Sequence, residues 1–427
     1  MVIIEHHLVR EKHHFKRMLV AFKACVDGFL NGYRPYLSID SIFLTGRFRG
    51  QLATACAVDG HNWLFPVVFA IMECEDSENW EWFMEKLHDC IGDPIGLAIC
   101  TDAGKGLNVI KTVLKNAEHR ECMRHLVTNF KKRFRGKVFD ENLWAAAYAW
   151  QPEQFEKHMS KMVAANPDVL TYLTETHPNL WMRCKFSELA KVDYVTNNLA
   201  ESFNSWIRKF KAMHVGDLVE KLRQKLMLKF DQRRRIGRNM AGLVLPHIYN
   251  DLKMRSYGLK YKIQRSDDDI AEVYGKHWTF TKDQLVDFKH VVDLKGMTCT
   301  CRSWQISGKS CPHAIAFITY LREENLQLYV DRSYTIEKFR AAYKRKIPAM
   351  TDKKQWPKPD KGFFLYPPLL RRPAGRQKHI DLRLLMKGVI RRKGEEVHMS
   401  AQSATNMGTT GTLVEKEIQK LKKSLHC

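Results

Sequence analysis

Three apolar runs packed into residues 34–72 constrain this chain more than any other feature. RPYLSIDSIFL (34–44), QLATACAV (51–58) and WLFPVVFAIM (63–72) have the length of strands and are too short to span a membrane. The DGHN at 59–62 separates the last two as a hairpin turn. SENWEWFMEKLHDCI (77–91) has helical spacing, with Trp80, Phe83, Met84 and Leu87 on one face and Ser77 as its cap. GLAICTDAGKG (96–106) is an apolar strand ending on Asp102, and a helix is expected over 107–115. EHRECMRHLVTNFKKRF (118–134) starts as a strand and continues as a basic helix. This succession predicts an α/β domain of the ribonuclease-H-like kind.

The remaining segments suggest an organisation around that core. Residues 1–33 read as an N-terminal helical remnant. The core is expected in two parts, 34–138 and 195–245, around a helical insertion at 139–194 that contains LWAAAYAW, FEKHMSKMV and VLTYL. Val215, Leu218, Leu222, Leu226 and Phe230 recur every three or four residues, which predicts a long helix. Residues 208–238 hold eleven Lys/Arg against three acids, so its surface should be strongly positive. Short alternating segments at 267–298 suggest a small sheet leading into a cysteine cluster, the two together forming a unit over 265–325. Residues 345–427 turn to Pro, Lys, Arg and Gly and are expected to be a basic, mostly disordered tail, with nine Lys/Arg and one Asp between 371 and 393.

The formal charge of +23 favours a polyanionic partner, nucleic acid before membrane. Eleven cysteines, an odd number spread over 427 residues, do not form a secreted disulfide framework. Charges and histidines throughout residues 1–17 argue against a signal peptide, so an intracellular, reducing setting is expected.

CTCRSWQISGKSCPHAI (299–315) gathers Cys299, Cys301, Cys311 and His313. Residues two apart on an extended strand point to one side, which suits Cys299 and Cys301. RSWQISGK reads as a hairpin return, and Pro312 fits the first turn of the helix AIAFITYL. Three thiolates and one imidazole make a closed tetrahedral zinc site, structural because no position is left for water. The expected module is a small zinc-stabilised β-hairpin and helix.

Three acids sit where hard cations could bind. Asp40 lies in an apolar strand pattern, Asp102 ends another, and Glu201 lies in NNLAESFNSWI at a helix start. Residue types alone do not choose them over Asp27, Asp59 and Asp93, which also lie near element ends.

These stretches resemble the transposases of Mutator-like elements, over about residues 34–320. The resemblance rests on 34–87, LAICTDAGKGL (97–107), AEHRECMRHLVTNFKK (117–132), NNLAESFNSWI (197–207) and CTCRSWQISGKSCPHAIAFI (299–318), in family order. It implies a ribonuclease-H-like core with an acid triad at Asp40, Asp102 and Glu201, Mg²⁺ or Mn²⁺ for catalysis, and a SWIM-type zinc finger at Cys299, Cys301, Cys311 and His313. It also marks a Cys-x2-His pair, Cys122 and His125, which either touches metal or DNA or packs. Ser41 and Ile42 stand where the family usually has Gly and Thr, and no cysteine precedes Cys25, so the family's N-terminal zinc module is not expected in the chain. The implied activity is metal-dependent DNA cleavage and transfer of the 3′ hydroxyl in the nucleus, with DNA and a second copy as partners and no membrane. Two alternatives are a catalytically silent DNA-binding regulator and a zinc-organised protein-interaction module.

Overall fold

A computed structural model describes residues 1–102, 109–278, 285–323, 325–357 and 362–368. All of these lie in one compact unit, Met1–Arg371. Residues 1–33 are not the helical remnant that the sequence suggested. They open with a hairpin, β1 (Val2–Val9) and β2 (Lys12–Val20), followed by α1 (Lys23–Gly32). Arg10 and Glu11 both adopt positive φ, 47° and 61°, which makes the tight turn. Met18–Val20 pair with Phe69–Ile71, so a ladder partner fifty residues away decides the conformation.

The three apolar runs form β3 (Tyr36–Phe43), β4 (Gln51–Val58) and β5 (Leu64–Met72), an antiparallel meander. Helix α2 (Ser77–Ile91) follows as predicted, but its cap is Asp76, whose Oδ1 accepts from the Asn79 N–H at 2.9 Å. Strand β6 (Ala98–Thr101) pairs parallel with β3. The helix expected at 107–115 is the short α3 (Ile110–Val113), and 103–108 lie outside the described residues. Strand β7 (Glu118–Glu121) pairs parallel with β6 and leads into α4 (Met123–Arg133). The sheet order is β1-β2-β5-β4-β3-β6-β7.

Helices α5 (Lys137–Tyr148), α6 (Pro152–Ala165) and α7 (Asp168–Thr176) follow, in the stretch read from the sequence as helical. Leu143, Met162 and Val169 pack with Leu126 and Phe130 of α4 in a core of their own. Helix α8 (Asn198–Ile207) packs on β3 and β4, and α9 (Val215–Arg238) buries Leu218, Leu222, Leu226 and Phe230 as its spacing required. The cations of α9 are not all on a solvent face. Arg233 is buried and donates to the Tyr343 hydroxyl at 2.6 Å, Arg234 caps the Tyr343 carbonyl at 3.0 Å, and Arg223 reaches the Pro348 carbonyl at 2.6 Å.

Beyond α10 (Pro246–Ser256) come β8 (Lys262–Arg265), β9 (Ile270–Trp278), β10 (Leu285–Asp293) and β11 (Thr298–Cys299), an antiparallel sheet in the order β11-β10-β9-β8. The expected hairpin return after Cys301 is instead the short helix α11 (Ser303–Ser307). Its ends are turned by Arg302 and Gly308 at φ 64° and 72°, and burial of Trp304 and Ile306 holds the turn inward. Helix α12 (Pro312–Tyr320) then begins at Pro312 as expected. Helix α13 (Ile336–Ala342) crosses α1 so closely that a Cβ at Gly28 or Gly32 would collide with the Ala342 backbone. The short β12 (Leu365–Tyr366) adds to β2. Most of the expected tail, from 369 onward, lies outside the described residues. No helix among the described residues is long and apolar enough to cross a membrane.

Candidate functional site

The β3–β6 register sets the first feature. Tyr36 faces Ala98, Leu37 faces Ile99 and Ser38 faces Cys100. Continued by two residues, the same register brings Asp102 opposite Asp40, on the sheet face shared by Ser38 and Cys100. Asp40 accepts from the Ser41 N–H at 2.8 Å and from Asn204 Nδ2 at 2.9 Å. Burial pushes its carboxyl up to about 6, helped by the charges of Asp102 and Glu75 and opposed by the Ser41 N–H and His125. Glu75, just before α2, accepts from the Ser41 hydroxyl at 3.1 Å and is itself raised by burial and by Asp102. Carboxylates brought together in this way suit a hard divalent cation, which would offset the charge acting on Asp40.

Helix α8 is fastened beneath this pair. Asn197 Nδ2 donates to the Ile39 carbonyl at 2.9 Å, the Ala200 N–H donates to the Ser38 hydroxyl at 3.1 Å, and that hydroxyl bonds the Asn197 side chain. Glu201 lies one turn from Asn204, the residue that touches Asp40. Its carboxylate is ion-paired with Arg124 rather than gathered with the two aspartates. Arg124, Glu201, Asn204 and Arg208 line a groove of about 590 Å³ that runs along α8.

Cys122 and His125 also meet at this face. Cys122 is the buried N-cap of α4, and its sulfur accepts from the Asn197 N–H at 3.2 Å. Contact with that sulfur, together with the charges of Asp102 and Asp40, pushes His125 up to about 9 against the opposing effect of burial.

Residue-level reading missed Asn204, Arg124 and Glu75. Asn197, Glu201 and Asn204 do repeat at helical spacing, which would have shown one face. Nothing local marks Arg124 or Glu75, because their partners come from distant segments.

The second centre is the cysteine cluster. The ligand atoms of Cys299, Cys301, Cys311 and His313 all lie within 4.8 Å of one another, the group among the described residues placed to hold one ion. His313 Nδ1 is 3.7 Å from Cys299 Sγ and 3.8 Å from Cys311 Sγ. A tetrahedron with Zn–S and Zn–N bonds of ordinary length has S···N edges of about 3.6 Å, so the donors fit zinc. Cys311 caps α12 and accepts from the Ala314 N–H at 3.4 Å, while Gln305 grips the Cys299 backbone through its N–H at 3.3 Å and its carbonyl at 3.0 Å. Hydrogen bonds from Cys299 and Cys311 hold Cys301 below the usual thiol range. Sharing that charge pushes Cys299 up, and burial together with the same sharing pushes Cys311 up; a bound metal would need all three as thiolates. All four positions are filled by protein, so the site is closed and structural.

This centre is not a detached module. Tyr334 donates to the Ser307 carbonyl at 2.8 Å and accepts from Arg34 Nη1 at 3.0 Å, while Arg34 Nη2 donates to the Asp59 carbonyl at 2.8 Å. A buried polar chain therefore joins α11 to the β4–β5 turn.

Two family profiles match parts of the chain. Residues 36–129 match the family profile of the MULE transposase domain, a span that holds Asp40, Asp102, Cys122 and His125 but ends before Glu201. Residues 290–321 match the SWIM zinc finger, which includes all four ligands of the cluster. A comparison with curated proteins returned no match.

Proposed function

We propose that this transposase-related chain, which carries a MULE transposase domain followed by a SWIM zinc finger, is a nuclear, metal-dependent DNA strand-transfer enzyme. Asp40, Asp102 and Glu201 are its acid triad. The observation that carries this is the parallel β3–β6 register, which, continued two residues past Ser38–Cys100, would bring Asp102 beside Asp40. The order β5-β4-β3-β6-β7, antiparallel on one side of β3 and parallel on the other, supports a ribonuclease-H-like core. Mg²⁺ or Mn²⁺ held by the acids would activate the attacking oxygen and stabilise the leaving 3′ oxygen.

The protein groups have distinct tasks in this reading. Asn204 fixes the Asp40 rotamer through its 2.9 Å bond. Arg124 and Arg208, on the groove wall, bind phosphates of the strand being cut. Lys225 and Lys229 lie 4.8 and 5.3 Å from the centre of the Trp206 ring, extending the positive path along α8. The zinc finger holds the C-terminal region on the core. Two copies would be needed if two DNA ends are joined in one complex.

The Glu201–Arg124 ion pair favours a second reading, a DNA-binding regulator that does not turn over. Incubating the full chain with Mn²⁺, a 3′-hydroxyl strand end and target DNA separates the two. A covalent joint product is expected; DNA bound in a salt-sensitive manner and left intact supports the regulator instead.

A further inference from the structure

Beside the acid groove is a second cavity, of about 310 Å³, that the triad does not use. The two share Asn198 and Ser202, so both faces of the same α8 edge are exposed to neighbouring hollows. Its other walls come from the end of α5 and the chain leading into α8: Tyr148, Arg183, Asp193, Tyr194 and Thr196. The volume is at the small end of the range in which proteins hold ligands, ~300–1,000 Å³.

The chemistry of these walls selects against a phosphate. Arg183 is the cation here, and it is already committed. Its Nε donates to the Asp193 carbonyl at 3.1 Å, and its Nη2 lies 3.5 Å from the Asp193 carboxylate. The guanidinium plane is further fixed between Tyr148 and Trp150, with ring centres at 4.8 and 4.2 Å. Tyr194 is anchored by its hydroxyl, which donates to Asn62 Oδ1 at 2.8 Å. Tyr148 is also stacked on Trp144 at 5.7 Å, so the ring that remains for a ligand is that of Tyr194, with Thr196 and Asn198 also lining the cavity. Such a surface suits an uncharged flat ring with hydrogen-bonding edges. The adjoining groove, with Arg124 and Arg208, suits the anion.

We infer that this cavity takes one unstacked nucleobase of the DNA strand whose backbone lies in the acid groove. The inference rests on the DNA reading above. A base turned out of the stack there would free the neighbouring phosphate to approach the aspartates. Stacking of this kind contributes about 1–3 kcal/mol per base and tolerates any sequence.

The test uses the full chain, zinc-loaded, and a single-stranded oligonucleotide carrying 5-iododeoxyuridine. This base forms photo-adducts with aromatic rings it stacks on. Adducts are expected at Tyr194. Thr196→Trp, which fills the cavity, should remove them and weaken DNA binding about tenfold, with the salt dependence unchanged because no phosphate contact is lost. Adduct mapping on the unaltered chain stands even if that variant does not fold. DNA bound with adducts only at Trp206 or Phe210 overturns the base cavity and leaves the DNA reading intact. No DNA binding at low salt overturns both.

Discussion

Asp40 on β3 and Asp102 just past β6 follow the parallel pairing that runs unbroken from Tyr36–Ala98 to Ser38–Cys100, close enough for the Asp102 charge to act on the Asp40 carboxyl. Neither residue is held there by a local motif. A one-residue slip of β6 would turn Asp102 to the other side of the sheet. The packing of β3 and β6, not the loops, therefore sets the acid pair.

Burial of Asp40 should make the metal-free protein less stable at neutral pH. Asp40 titrates at about 6 in the folded state, above the ordinary value of 3.8, so folding strengthens its hold on the proton. Its unfavourable contribution is absent below about pH 4 and grows as pH rises to about 6. Asp40→Asn is thus expected to raise stability by ~1–2 kcal/mol at pH 7.5 and to change it little at pH 4. Urea unfolding at the two pH values, in the absence of divalent ions, measures this.

Removing one zinc ligand should disturb more than the finger. Cys299, Cys301 and Cys311 belong to the same buried cluster as Ile39, Phe65 and Phe230. Structural zinc sites contribute on the order of 10 kcal/mol in small fingers. Cys311→Ser is expected to reduce bound zinc from one per chain to none and to lower the melting temperature of the whole unit. Tyr334→Phe, which breaks the hydroxyl link between Arg34 and Ser307, should keep zinc and cost about 1–3 kcal/mol. Metal analysis with calorimetry distinguishes the two effects.

Arg124 should matter for DNA and not for stability. Its ion pair with Glu201 is largely exposed, and such pairs contribute ~0–1 kcal/mol. Arg124→Ala is expected to leave the unfolding midpoint nearly unchanged. If the arginine meets a phosphate, the slope of log affinity against log salt falls by about 1. Fluorescence anisotropy over a salt series reads this directly.

The α1–α13 crossing gives a purely structural prediction. A methyl at Gly32 would meet the backbone and side chain of Ala342, and neither can move aside as a flexible side-chain tip could. Gly32→Ala is expected to destabilise by about 2–3 kcal/mol, measured by chemical unfolding.

Several of these features were legible in the sequence. Strands β3 to β5 and helix α2 followed from period and turn signals, and the four zinc ligands from their spacing. Others depend on partners remote along the chain. The β1–β2 hairpin needs the edge of β5, and its charged and histidine-rich pattern masked the alternation. The turn between Cys301 and Cys311 is helical because Trp304 is buried, with its indole N–H donating to the Tyr329 carbonyl at 3.2 Å. The run of basic residues on α9 suggested one positive face, yet Arg223 and Arg233 are buried; Arg223 pairs locally with Glu220, but the Pro348 carbonyl and the Tyr343 hydroxyl that the two also reach come from distant segments. The acids were visible one at a time; their proximity came from strand register.

The most direct measurement is single-turnover DNA cleavage by the zinc-loaded chain in Mn²⁺, comparing the unaltered protein with Asp102→Asn at saturating protein. Cleavage that requires Mn²⁺ and falls in Asp102→Asn to the level seen without the metal, with DNA still bound, is the predicted result. Cleavage that persists unchanged in Asp102→Asn would contradict the account.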